Sequence, residues 1–235
     1  MKIISGIYWD QGRRETNQDS ILLQQVRTDC GRVLLAVVCD GIGGLKQGEN
    51  ASGYVEERLM EVFYRETVPL IQRRKVRKLI LRSLLRCLYE VREELNRYAA
   101  EREIDLGTTM SLLLLWKRQY LILHLGDSRI YHYQERRRRQ LTKDHSDGGN
   151  RLTRCIGSFP YQAPDIRFGR RWGKCGFLLC SDGFYRKQDE KGFSLLRPAE
   201  IESTQQVQKR LEEMAKLVLK RGEKDNLSAI YVKVY

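Results

Sequence analysis

Between residues 108 and 134, three apolar runs of strand length (108–116, 120–125 and 129–134) are separated by two links of three residues, Lys117-Arg118-Gln119 and Gly126-Asp127-Ser128. Links that short close antiparallel hairpins, whereas a parallel neighbour needs a crossover of a dozen or more residues. The chain must therefore build on an antiparallel meander. Upstream, 3–9 and 20–26 read as strands, and 32–39 is almost continuously apolar, as a central strand would be. Downstream, 176–180 and 228–234 have the same texture.

Helical periodicity appears in three places. Residues 49–64 read as one helix and 75–101 as a longer one, in which Val76, Ile80, Leu84, Leu88, Val91, Leu95 and Tyr98 share a face. Pro69 is expected to end the first helix or to sit in the link between the two. A third helix, 204–220, carries Val207, Leu211, Met214 and Val218 on one side. Strands, a helical pair, a meander, then a helix and a closing strand predict an α+β fold of antiparallel sheets covered by helices. With no internal repeat and no linker rich in Pro and Gly, one domain over 1–235 is expected.

Composition narrows the class. Of 235 residues, 41% are hydrophobic, enough for a packed core. No uncharged apolar run approaches the roughly 20 residues that cross a bilayer. Met1-Lys2-Ile3-Ile4-Ser5-Gly6 lacks the apolar stretch of a secretion signal, so a cytoplasmic protein without membrane attachment is expected. The six cysteines form no CxxC pair and read as reduced, mostly buried thiols. A formal charge of +13 attracts anionic partners. Nucleic acid is not among those expected, because no basic and aromatic recognition motif or zinc module accompanies the charge.

The acidic residues are placed more informatively. Asp40 follows the apolar run ending at Cys39, Asp182 follows the run ending at Cys180, Asp225 precedes the last strand, and Asp127 lies in a hairpin link. Taken alone, Asp40-Gly41 and Asp182-Gly183 are ordinary turn dipeptides. Taken together, carboxylates at strand ends can converge on one edge of a sheet stack, where they repel one another until a hard cation joins them. An oxygen-only set, without His or Cys, favours Mg²⁺ or Mn²⁺ over Zn²⁺.

Eight segments in order carry a resemblance: Arg14-Glu15-Thr16-Asn17-Gln18-Asp19, Asp40-Gly41-Ile42-Gly43-Gly44, Gly107-Thr108-Thr109 and Gly126-Asp127-Ser128-Arg129. The others are Leu141-Thr142-Lys143-Asp144-His145-Ser146, Leu152-Thr153-Arg154-Cys155-Ile156-Gly157, Ser181-Asp182-Gly183 and Asp225-Asn226-Leu227-Ser228. The sequence resembles the metal-dependent protein phosphatases of type 2C. The resemblance implies a four-layer α-β-β-α sandwich and the hydrolysis of phosphoserine and phosphothreonine in proteins. It implies two divalent cations, Mn²⁺ or Mg²⁺: Asp40 bridging them, the Gly41 carbonyl on one, Asp182 and Asp225 on the other, and Asp19 supporting from behind. Asp127 resembles an aspartate that in some members helps hold a third, weaker metal, and Arg14 the arginine that grips the substrate phosphate. Expected partners are phosphorylated proteins, among them a Ser/Thr kinase, and a monomer is expected.

The match departs at three points. Ile42 stands where many eukaryotic relatives carry a proton-donating histidine, and Gln18 where they carry a glutamate, so the sequence looks bacterial in type. Only six residues, 146–151, join the two motifs that a longer helical flap usually separates in bacterial relatives. The run Arg136-Arg137-Arg138-Arg139 reads as a solvated loop, with docking of acidic partners as the functional alternative. His124 and His132 read as packed or surface residues, and His145 as structural. The rival to an enzyme is a catalytically silent relative that binds partners; retention of Arg14 and all three main aspartates argues against it.

Overall fold

The computed structural model describes residues 2–42, 47–74, 77–147, 151–157 and 162–235. Gly43 and Gly44 of the second motif, Lys75 and Val76 at the start of the expected second helix, and Gly148-Gly149-Asn150 of the short link lie outside the described residues. Strands β1 (Ile3–Asp10), β2 (Asp19–Thr28) and β3 (Gly31–Asp40) lead into helix α1 (Gly48–Val62), a π turn (Phe63–Thr67), α2 (Val68–Gln72) and the long α3 (Arg77–Arg102). Then come β4 (Gly107–Thr108), β5 (Met110–Trp116), β6 (Gln119–Leu125), β7 (Arg129–Gln134), β8 (Arg137–Gln140), β9 (Ile156–Gly157), β10 (Asp165–Arg170) and β11 (Cys175–Cys180). The short helices α4 (Asp182–Tyr185) and α5 (Glu190–Ser194), a 3-10 turn (Pro198–Glu200), α6 (Thr204–Lys220) and β12 (Leu227–Val234) complete the chain.

The strands form two five-stranded antiparallel sheets, in the orders β1-β12-β11-β7-β8 and β10-β6-β5-β3-β2, and β4 pairs with β9. The alternation of β3 shows why a continuous apolar run was needed. Leu34, Ala36 and Val38 face the other sheet, where they meet Phe177, Leu179, Ile230 and Val232. Leu35, Val37 and Cys39 face the opposite way, onto α1 and α3. The sheet β1-β12-β11-β7-β8 is covered by α6 and the α4–α5 segment, through Val207, Leu211, Met214, Phe184 and Phe193. The result is the expected α-β-β-α sandwich with three apolar layers. Each fully buried Leu or Val side chain contributes roughly 1.5–3 kcal/mol, so this layering outweighs any single polar contact. Among the described residues, no helix is long and apolar enough to cross a membrane.

Pro69 does not end the helix. The chain stays helical to Gln72 because the Val68 N–H bonds to Phe63 O, five residues back, and a wide π turn absorbs the change of register. Pro69 then enters at the first turn of α2, where a missing N–H costs nothing. The run 108–116 is split at Thr109, whose N–H leaves the ladder to bond Asp40 O at 2.8 Å. Strand β8 has no apolar residue, β9 is only two residues long and β10 carries just Ile166 and Phe168 at alternate positions, so pattern reading missed all three.

Most of the arginine run is not a loop either. Arg137–Gln140 is β8, an edge strand on β7. Arg138 points back over the sheet: its guanidinium lies 3.6 Å from the centre of the Phe193 ring and 5.1 Å from that of Tyr131, and it bonds Glu190. Its neighbours Arg137 and Arg139 are exposed, as charged side chains on an edge strand commonly are. Arg138→Ala should therefore destabilise the protein by about 1–2 kcal/mol in urea unfolding, through lost stacking and stem packing. Arg137→Ala should stay within about 0.5 kcal/mol of the unchanged protein.

Candidate active site at the carboxylate edge

Antiparallel pairing brings the acidic strand ends to one place. Asp19 opens β2 and Asp40 closes β3, and the two are register partners. The β11–β12 pairing puts Asp182, just past β11, beside the loop that carries Asp225 into β12. Asp127 sits at the tip of the β6–β7 hairpin on the same edge. Backbone bonds pin each position. Asp40 N–H donates to Thr109 Oγ1 at 3.0 Å, Ser181 N–H donates to Ser228 O at 3.0 Å, and Ser228 N–H donates to Ser181 Oγ at 3.0 Å. Asn226 clamps the loop that carries Arg14: its amide donates to Gln11 O and Thr16 O at 2.9 Å each, and its side-chain oxygen accepts from Gln18 N–H at 2.9 Å.

Two glycines make the approach possible. Gly12 has φ +63°, and a Cβ there would lie 2.1 Å from Asp225 O, so only glycine lets this loop close on the aspartate. At Gly41 a Cβ would lie 2.6 Å from both Gln18 O and Gly48 O. Its own N–H donates to Gln18 O at 3.1 Å.

The electrostatics is that of an under-neutralised cluster. Burial pushes the Asp19 carboxyl up to about 7, with the Asp182 and Asp225 charges adding to the rise and the Ser228 and Ser181 hydroxyls opposing it. Asp40 is raised well above the carboxylate range by desolvation and by Asp19, Asp182, Asp127 and Asp225. Asp182 is raised by burial, against the pull of Arg186. Asp127 is pushed up to about 6 by burial and by Asp182. Two arginines supply the nearest positive charge. Arg14 grips Asp225 with both donors, Nε–Oδ1 at 2.9 Å and Nη2–Oδ2 at 3.0 Å, while remaining 52% exposed. Arg186 bonds Asp182 Oδ2 at 2.5 Å.

Among the described residues, no three His, Cys, Asp or Glu side chains stand close enough together to hold an ion as they are. Two of the four inner carboxylates are turned to arginines instead. The donor set nevertheless fits hard divalent cations: Asp19, Asp40, Asp182 and Asp225 are all oxygen donors, and burial with neighbouring carboxylates raises Asp19, Asp40 and Asp182, a cost that a dication relieves.

The three histidines serve the frame. His124 is buried between Ser111 Oγ at 3.0 Å and Lys143 O at 3.1 Å, and burial with the nearby His145 pulls it down to about 4. His132 stacks on Phe177. His145 accepts from Gly126 N–H at 3.2 Å and faces Asp165 at 3.1 Å, so it steadies the hairpin that bears Asp127. All six thiols are free, and four of them are buried. The short link after His145 is drawn tight by a Ser146–Leu152 bridge and by Asp147 N–H donating to Arg151 O at 3.1 Å.

Sequence reasoning named Arg14 and the five aspartates but missed the residues that aim them. Asn226 and Ser228 stood inside a quoted motif without a role. Tyr185, Arg129 and Asp144 could not be linked from sequence. Tyr185 Oη donates to Asp127 O at 3.1 Å, Arg129 stacks 3.8 Å over the Tyr185 ring, and Asp144 takes both forks of Arg129.

The family model of protein phosphatase 2C matches residues 11–230, and the chain belongs to that family. The serine/threonine phosphatase stp of Listeria welshimeri serovar 6b is 35% identical over 115 residues, a match spanning 48% of this chain and 43% of that protein. The chain thus spans less than half the length of that curated relative. The serine/threonine phosphatase stp of Listeria innocua serovar 6a is 28% identical over 234 residues, covering 84% of this chain and 83% of the other. Among solved structures, the catalytic domain of the serine/threonine protein phosphatase PstP, in complex with two manganese ions, superposes with a TM-score of 0.77. It is 21% identical and covers 99% of each chain, so that likeness bears on the fold. The family is metal-dependent.

The carboxylate cluster makes stability pH-dependent in a definite direction. A carboxyl at about 7 in the native state and near 3.8 in the unfolded chain keeps a proton on folding, so stability falls as pH rises from about 4 to about 7. In chelator, the melting temperature should drop across that window, more steeply than that of Asp19→Asn. Saturating Mn²⁺ should shrink the drop. Parallel melting curves for the two proteins in differential scanning fluorimetry would rule this origin out.

Proposed function

We propose that this chain is a protein serine/threonine phosphatase that removes phosphate from phosphoserine and phosphothreonine. The observation that carries the reading is the meeting of Asp19, Asp40, Asp182 and Asp225 with Arg14 at one edge of a family-typical sandwich. Asp40, Asp182, Asp225 and the Gly41 carbonyl would hold two divalent cations, Mn²⁺ or Mg²⁺, with Asp19 behind them. When bound, the cations supply an acidified water and positive charge for the phosphoryl oxygens.

The chain's own groups do the rest. Arg14 is tied down at its base by the Asn226-clamped loop and is half-exposed at its tip, so its planar fork can take two oxygens of a phosphate. Its present partner, Asp225, holds it pointed at the cluster. Ile42, whose N–H is spent on Gly107 O at 3.0 Å, brings no proton donor. An open cleft of about 700 Å³ beside Asp127, walled by Arg129, Tyr185, Arg186 and Gln188, leaves room for the protein that carries the phosphate. The net charge of +13 favours acidic and phosphorylated partners, a Ser/Thr kinase among them, and a cytoplasmic monomer is the simplest setting.

Phosphate release from a phosphothreonine peptide, with and without Mn²⁺, tests the proposal. Activity should require the metal and vanish in Asp182→Asn. Arg14→Ala should lower kcat/KM about 10- to 100-fold, the worth of roughly 1.5–3 kcal/mol for a hydrogen bond to a charged group. Metal-independent release, or none with any divalent ion, would refute the reading.

A further inference from the structure

Asp127 lies close enough to Asp182 for the Asp182 charge to act on it, so a third cation held by Asp127 would have to sit on the Asp182 side of the cluster. The local frame holds that space at a set size. Tyr185 Oη bonds Asp127 O, the Arg129 guanidinium stacks on the Tyr185 ring, and the bidentate Arg129–Asp144 pair braces the hairpin, so Asp127 is tied to the helix that starts at Asp182. Arg186 caps the C-terminal end of that short helix. Its N–H closes the turn on Asp182 O at 2.8 Å, and its guanidinium bonds Asp182 Oδ2 at 2.5 Å. The same guanidinium lines the cleft alongside Asp127 and is near enough to draw the Asp127 carboxyl downward.

We propose that Arg186 is a built-in substitute for a third cation, a fixed guanidinium that neutralises the Asp127–Asp182 side of the cluster and leaves the chain a two-metal protein. This rests on the two-metal phosphatase reading and departs from the resemblance at Asp127. The reasoning is one of charge and donor count. A third ion at Asp127 would need Asp182 or water as further oxygen ligands, and here one Asp182 oxygen is committed to Arg186. It would also sit against a cation that cannot lose its charge. An ammonium could titrate or swing clear on a flexible stem. Arg186 is instead set by its i,i+4 relation to Asp182 on a helix whose next residue is anchored by Lys187 Nζ donating to Gly222 O at 2.6 Å. The side chain is 39% exposed, so replacing it need not disturb the core.

Counting bound ions tests this without reference to turnover. Mn²⁺ titrations by calorimetry, with free Mn²⁺ followed by electron paramagnetic resonance, should find two ions per chain in the unchanged protein and two in Asp127→Asn. Arg186→Asp exchanges the guanidinium for a carboxylate and should gain a third ion; the double variant Arg186→Asp with Asp127→Asn should lose it again. Arg186→Ala is the milder companion and should gain the same ion at least tenfold more weakly, with thermal melting showing that each variant is folded. Three ions in the unchanged protein, one of them lost in Asp127→Asn, would overturn the proposal while leaving the two-metal reading standing. A third ion absent from folded Arg186→Asp would overturn it as well. No ion bound by the unchanged protein would remove both readings together.

Discussion

Repulsion among buried carboxylates is the constraint around which the rest of the molecule is organised. Asp19, Asp40, Asp127 and Asp182 are each pushed above the ordinary carboxylate range by burial and by one another. A chain free to choose would spread them apart. The two sheets prevent it, because strands paired in antiparallel register deliver the end of one and the start of the next to the same edge. The three apolar layers supply the stability against which that repulsion is held, and the cluster is left dependent on positive charge from outside the sheets.

That charge is available in two forms with different mobility. Arg14 sits on a loop, half-exposed, held by its grip on Asp225 and by the Asn226 clamp beneath it. It can exchange one pair of acceptor oxygens for another without moving its backbone. Arg186 belongs to a helix braced through Tyr185 and Arg129, and its partner is one turn behind it on the same helix. A guanidinium in the first setting suits a ligand that comes and goes; in the second it is part of the scaffold. The contrast arises from the supporting elements, since the two side chains are chemically identical.

Much of the fold was legible because burial leaves a periodic mark. The strand 32–39 was recognisable since both of its faces meet apolar layers, and 204–220 was legible to the residue since one side packs and the other is wet. Strand β8 carries no such mark and β10 only a two-residue one, Ile166 and Phe168: both are edge strands rich in arginine, and their place comes from pairing with β7 and β6. Pro69 lies between the two long helices, one of its two expected places, but the chain there stays helical, because the π turn that accommodates it is a backbone device without a residue signature. Arg138, in a run of four like charges, became a packed side chain only because Phe193 and Tyr131 arrive beneath it from elsewhere in the chain.

For the site, the sequence by itself determined which donors exist and on which strand ends they ride: five aspartates, one arginine before them, and no histidine or cysteine among them. Residue type and position relative to apolar runs are local properties, so they can be read in one dimension. Tertiary structure alone decided how those groups are neutralised: Arg14 on Asp225 across 211 positions, Asn226 on the Arg14 loop, Tyr185 on Asp127. Even the pairing of Arg186 with Asp182, only four residues away, acquires its meaning from Asp127 on a distant hairpin. Coulomb forces and hydrogen bonds depend on distance in space, and separation along the chain does not encode it.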